Sequence, residues 1–242
     1  ESVAPPGGVM LSASTARLVE TVASLGDLEL VQIKGSEQPV LARRLLGVSE
    51  PDRESAGTVS ALVGRRWEMA AVEGLFQGAI EGRGAVVTVA GSPGIGKSRL
   101  VREVTAMAAA SDVDSYVAFC ESHASDIPFY VVARLLRAAF GLDNLNVEAA
   151  RTQLRARVPD ADPEDLLLFD DLLGIADPEV KLPKIDPDAR RRRLTALVNA
   201  ASLARSSPAV YIVEDVHWID KVSESLLADF VAVIPQTRSM VL

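Results

Sequence analysis

Apolar and polar residues are arranged in three different ways along this chain. In residues 1–47, serine and threonine precede spaced apolar positions in Ser12-Ala13-Ser14-Thr15-Ala16-Arg17-Leu18-Val19-Glu20, which predicts a capped helix. Residues 28–34 and 40–46 then predict two strands around the turn-rich Gly35-Ser36-Glu37-Gln38-Pro39. Such a block is too small to build a stable core by itself. Residues 48–58, VSEPDRESAGT, lose all apolar periodicity and predict a linker. From Leu62 onward, helix-period stretches alternate with short continuous apolar runs, the order of a layered α/β domain over residues 59–242. Helices are expected over 67–80, 98–110, 128–140 and 190–204, and buried strands over 85–90, 114–120 and 209–213. The intervening residues 143–188 are acidic and punctuated by proline, with short helices expected around 148–158 and 163–173. Residues 239–242 read as the opening of a further strand.

One junction in this alternation carries chemistry. Residues 84–104, GAVVTVAGSPGIGKSRLVREV, place a glycine-rich turn between an apolar run and a helix start. The turn Gly91-Ser92-Pro93-Gly94-Ile95-Gly96-Lys97-Ser98 fits G-x-x-x-x-G-K-[ST] in full and leads through Arg99 into the helix. Glycines let the backbone curl until several N–H groups converge on one phosphate. The following helix adds unpaired amides and the positive end of its dipole. In that geometry Lys97 reaches the terminal phosphates of a nucleotide and the Ser98 hydroxyl sits on Mg²⁺.

A second junction supplies negative charge. Ala209-Val210-Tyr211-Ile212-Val213 is apolar throughout and ends abruptly in Glu214-Asp215. In open parallel sheets ligands lie outside the carboxyl ends of the strands. Two acids there can hold the Mg²⁺ that bridges phosphates and orient an attacking water, and which of Glu214 and Asp215 takes the metal stays open. His217 and Trp218 follow at once, as packing residues or as a phosphate sensor and an anchor of the turn. Arg190 to Arg193 spread around a helix rather than forming one stripe. They read as solvated partners of the acidic 160–188 segment, with an arginine finger acting on a neighbouring copy of the chain, hence a homo-oligomer, as the sharper alternative. Arg238, ahead of the final strand, is a sensor candidate.

Composition narrows the class. The 242 residues are 48% hydrophobic and 24% charged, enough for a full core. A net charge of −8 argues against a general nucleic-acid or anionic-membrane surface. No apolar run approaches the roughly 18–20 residues that span a bilayer, and no signal peptide opens the sequence. The single cysteine, Cys120, cannot form an internal disulfide, which points to the cytoplasm, and it reads as a small buried residue. The start at Glu1 and the strand-like finish suggest a piece of a longer protein.

With both junctions in place, the chain from about residue 60 resembles the signal-transducing STAND branch of the AAA+-related ATPases. The marks are Leu62-Val63-Gly64-Arg65, similar to that family's hhGR box, the loop GSPGIGKS, and the segment EDVHWID. Cys120-Glu121 and Ile127-Pro128-Phe129 resemble its second-strand and following-helix segments. The resemblance implies a P-loop NTPase fold, a three-layer αβα sandwich on a mostly parallel sheet, with ATP and Mg²⁺ as cofactors. It also implies that Val63, Gly64 and Arg65 contact the adenine. The first block, GGVMLSASTARLVE followed by LELVQIKGSEQPVLARRLLGV, resembles the end of a class III nucleotidyl cyclase domain, a small α+β remnant of a ferredoxin-like fold. That family's metal-binding carboxylates lie upstream and none can be placed here. Together the two resemblances imply an ATP-dependent switch with neighbouring cyclase and effector domains, the latter often helical repeats and a helix-turn-helix. Two other functions stay open: a cyclase whose centre lies upstream, and a scaffold that never hydrolyses nucleotide.

Overall fold

The computed structural model describes residues 4, 8–20, 23–32, 39–48 and 64–242. The expected linker over 48–58 lies, but for Val48, outside the described residues, as do Lys34, the hairpin turn up to Gln38, Leu62 and Val63. The chain divides into two compact units, Glu1–Ala61 and Leu62–Leu242.

Among the described residues, the first unit holds a three-stranded antiparallel sheet and one helix. Strand β1 (Val9–Ser12) runs into helix α1 (Ala13–Val19), and β2 (Ala23–Val31) and β3 (Val40–Val48) follow, in the sheet order β1-β3-β2. Ser12 caps α1, its hydroxyl accepting the Thr15 amide at 3.2 Å. β1 is a strand that periodicity did not predict, because four residues are too few to show alternation. β2 starts five residues before the expected Leu28, and bulges after Ser24 and Leu25 break its period of two.

The second unit carries the α/β alternation. Helix α2 (Arg66–Ile80) leads to strand β4 (Ala85–Val86), helix α3 (Lys97–Ala110) and strand β5 (Asp114–Phe119). Four helices come next: α4 (Tyr130–Phe140), α5 (Val147–Arg157), α6 (Pro163–Leu172) and α7 (Pro187–Ala204). Strand β6 (Ala209–Glu214), helix α8 (Lys221–Val233) and strand β7 (Ser239–Val241) complete it. The four strands pair in parallel in the order β4-β7-β6-β5.

Alternation along β6 builds the layers. Val210 and Ile212 join Val72, Phe76, Leu100 and Val104 of α2 and α3 in one core. Tyr211 and Val213 face the other way, into a larger core with Leu135, Leu194, Leu226 and Phe230 from α4, α7 and α8. Helices on both faces of a parallel sheet form a three-layer αβα sandwich, as expected for a P-loop NTPase-like fold. The acidic excursion is fastened by arginines. Arg155 of α5 grips the buried Asp170 of α6 with both guanidinium arms, at 3.0 and 2.6 Å.

The structure departs from expectation at two elements here. β4 has two ladder residues instead of six, because its partner β7 is short; one further bond runs from the Val87 amide to the Val241 carbonyl at 2.8 Å. Helix α8 was not anticipated, although Asp220 is a good cap and an amphipathic stretch follows it.

Candidate functional site

The glycine-rich turn folds at the end of the β4 segment. Gly94 and Gly96 take φ values of 78° and 98°, the left-handed region that a Cβ disfavours. At Gly91 the constraint is space, since a Cβ would lie 2.8 Å from the Ile95 Cγ2. Gly96 opens α3 by accepting the Arg99 and Leu100 amides, both at 3.1 Å, which leaves the helix's earliest amides to be satisfied from outside. Lys97 folds back over the turn, its Nζ donating to the Gly91 and Ser92 carbonyls at 3.0 and 3.3 Å. The loop from Gly91 through Gly96, with Pro93 and Ile95, is solvent-exposed.

Strand order brings the acids to this loop. β6 lies one strand away from β4, and the Ser98 hydroxyl donates to Glu214 Oε2 at 2.9 Å. Asp215 is exposed beyond it, with a φ of 56°, and its carbonyl accepts the Trp218 amide at 2.9 Å. Thus Ser98 and Glu214, far apart in sequence, are in contact, and Asp215 sits beside them. Among the described residues no cluster of three or more His, Cys, Asp or Glu side chains forms a metal cage. The pair Ser98 and Glu214 offers hard oxygen donors of the kind Mg²⁺ takes together with phosphate oxygens.

The Gly64-Arg65 end of α2 reaches the same loop. Gly64 has a φ of 80°, and Arg65 donates to the Ile95 carbonyl at 3.2 Å and to Glu68 at 2.7 Å. The bond from Arg65 holds the Glu68 carboxyl below its usual pKa. Val63 lies outside the described residues. Arg99 pairs with Glu103 along α3 at 2.8 Å.

Other candidates fall elsewhere. Arg238 is not near the phosphate loop: it precedes β7, at the opposite edge of the sheet, and binds the Ile80 carbonyl at 2.6 and 3.0 Å. A residue fixed there cannot sense a phosphate at the carboxyl edge, so the sensor reading is corrected. On α7, Arg190 pairs with Asp171, Arg191 with Asp229, and Arg193 with Asp162, Glu164 and Asp165. This agrees with the solvated-helix reading. Burial, with the nearby Asp215 and Asp220 charges, pushes the Cys120 thiol up to about 11, which keeps it protonated and inert.

Sequence reasoning missed Asp220. It is buried and caps α8 through the Val222 and Ser223 amides at 3.1 and 2.8 Å, and the same oxygen accepts the Phe129 amide at 3.2 Å. Phe129 has a φ of 64°, so this one carboxylate fastens a strained turn before α4 to the acid-bearing loop. Trp218, by contrast, is 44% exposed, and its ring lies against that of His217. The signal for Asp220 was its place just ahead of an amphipathic stretch. Asp220→Ala is expected to lose about 2 kcal/mol from the cap and the orphaned amides. Thermal unfolding should show a fall of roughly 4–8 °C, with Asp220→Asn intermediate.

Comparison with known proteins agrees with this geometry. The family described as AAA ATPase domain matches residues 61–242. An uncharacterized protein of Rhizobium meliloti (strain 1021) is 28% identical over 97% of this chain, and the chain spans 23% of that protein's length. No solved structure matches. Among the described residues no helix is long and apolar enough to cross a membrane.

Proposed function

The chain belongs to the AAA ATPase domain family, and on that premise we propose that it is an ATP-binding, Mg²⁺-dependent switch with slow hydrolysis. The observation that carries this reading is the 2.9 Å contact between Ser98 and Glu214, which joins the phosphate loop to the acid strand. The Ser98 hydroxyl and Glu214 would hold a Mg²⁺ ion there. The bound metal supplies Lewis-acid neutralisation of charge on the phosphates. Lys97 leaves the Gly91 and Ser92 carbonyls to neutralise the terminal phosphates, and the loop amides hold them in line. Asp215, exposed beside Glu214, orients the attacking water. Arg65, held to the Ile95 carbonyl, positions the adenine end along with Val63 and Gly64.

Slow turnover suits a switch, because the contact that draws Lys97 off the Gly91 and Ser92 carbonyls lasts only while the γ-phosphate is present. In this reading the closed state is passed to neighbouring domains. The resemblance of the first block to a cyclase end, and the small share of the Rhizobium meliloti protein that the chain spans, support a multidomain cyclase–ATPase regulator acting in cytoplasmic signalling and transcriptional control. Glu214→Gln and Asp215→Asn separate binding from chemistry. Both should keep ATP binding by calorimetry, and each should slow phosphate release by ~10²-fold or more, the scale of a lost catalytic carboxylate. Unchanged release in both variants would reject the roles given to the acids.

A further inference from the structure

A cavity lies away from the phosphate loop. It measures about 260 Å³ and sits between α4, α7, α8 and β6, with walls that include Leu135, Phe140, Val198, Leu226 and Phe230. Ser206 and Ser207, at the entry to β6, line it, whereas Glu214 ends that six-residue strand. At about 3.3 Å per residue the two ends are roughly 20 Å apart. Tyr211, which also lines the cavity, points to the sheet face opposite the Val210 and Ile212 face that α3 covers. The cavity is therefore separate from the nucleotide site in both position and face.

Its polar groups define a ligand. In a chain of net charge −8, the lining holds Arg157 and Arg205 and no aspartate or glutamate. Arg205 is already engaged, donating to Asp114 at 2.7 Å and to the Tyr116 hydroxyl at 3.1 Å. Arg157 is exposed at the rim and makes no ion pair or hydrogen bond among the described residues. The Tyr211 hydroxyl, on a residue only 7% exposed, also has no hydrogen-bond partner among the described residues, although its ring is packed against Phe230 and Tyr116. Desolvation raises the Tyr211 pKa, so the phenol stays a neutral donor. Apolar walls with a few unpaired donors are the make-up of a small-molecule site, and the volume, just under the roughly 300 Å³ where drug-sized pockets begin, restricts it to a small ligand.

We propose that this cavity binds a small apolar carboxylate, a medium-chain or single-ring acid, with the body between α4, α7 and α8 and the carboxylate on Arg157. A guanidinium matches a carboxylate in a two-point fork, and Tyr211 offers a further donor inside the wall. Octanoate and 1-octanol are the probes, titrated calorimetrically into the full chain. Octanoate is expected to bind saturably to the wild type and at least tenfold more weakly to Arg157→Gln, while octanol binds the two alike and more weakly than octanoate binds the wild type. Ala139→Trp, which fills the cavity, should abolish octanoate binding while ATP still binds, showing that the fold survives. Lys97→Ala should bind octanoate as the wild type does. The proposal is overturned by absent saturable binding to the wild type, by equal octanoate affinity in Arg157→Gln, or by loss of octanoate binding in Lys97→Ala.

Discussion

Lys97→Ala is expected to lower ATP affinity by at least ~10²-fold, measured by calorimetry with Mg²⁺ present. A charged hydrogen bond is worth about 1.5–3 kcal/mol, and the ammonium would make more than one to the terminal phosphates. In the structure that ammonium is already poised over the loop, 3.0 Å from the Gly91 carbonyl and 3.3 Å from that of Ser92. Removing it frees two carbonyls on an exposed turn, which water can satisfy, so the fold should persist with an unchanged circular dichroism spectrum. Lys97→Arg should not restore affinity, because a planar fork cannot replace a compact point charge inside a tight turn. Undiminished ATP affinity in Lys97→Ala would remove the nucleotide from this loop.

The largest effect on stability should come from Gly84. An added Cβ would lie 1.9 Å from the Ile234 carbonyl oxygen and 2.8 Å from both the Ile234 carbonyl carbon and the Ser239 carbonyl oxygen. All three are backbone atoms, so no side chain can rotate away. Overpacking commonly costs about 1–3 kcal/mol, and Gly84→Ala belongs at or beyond the upper end. That corresponds to a fall in melting temperature of roughly 6–12 °C. Gly82→Ala is the informative companion. Its φ is 96° but a Cβ there meets nothing within 4 Å, so it carries only the left-handed strain of about 1–2 kcal/mol. A Gly84→Ala variant as stable as Gly82→Ala would mean that the α2–β4 connection does not pass between those carbonyls.

Much of this was legible in the amino-acid order because it is local. The loop Gly91 to Ser98 advertises itself by glycines and a lysine at fixed spacing, and the helices from α2 to α7 by their apolar period. What was hidden is what depends on distant partners. The length of β4 is decided by β7, and no pattern near Ala85 records how long that strand is. Arg238 resembles a sensor in sequence, and only the direction of β7 puts it at the edge away from the phosphates. That the Ser98 hydroxyl points at Glu214 depends on one rotamer on α3, which no spacing rule records. The double role of Asp220 needs Phe129 beside it, a neighbour that no spacing rule supplies.

The pairing of β4 has a consequence for how the domain is made. Among the described residues the strand ahead of the phosphate loop pairs with β7 alone, Ala85 meeting Met240 and Val86 meeting Val241. A ribosome therefore releases the loop and then six α-helices and two strands before its supporting strand finds a neighbour. Contacts of such wide separation form late and slowly. The nascent chain holds an apolar strand open during synthesis, and ATP binding should be acquired in a single late step, once residues 239–241 have left the exit tunnel.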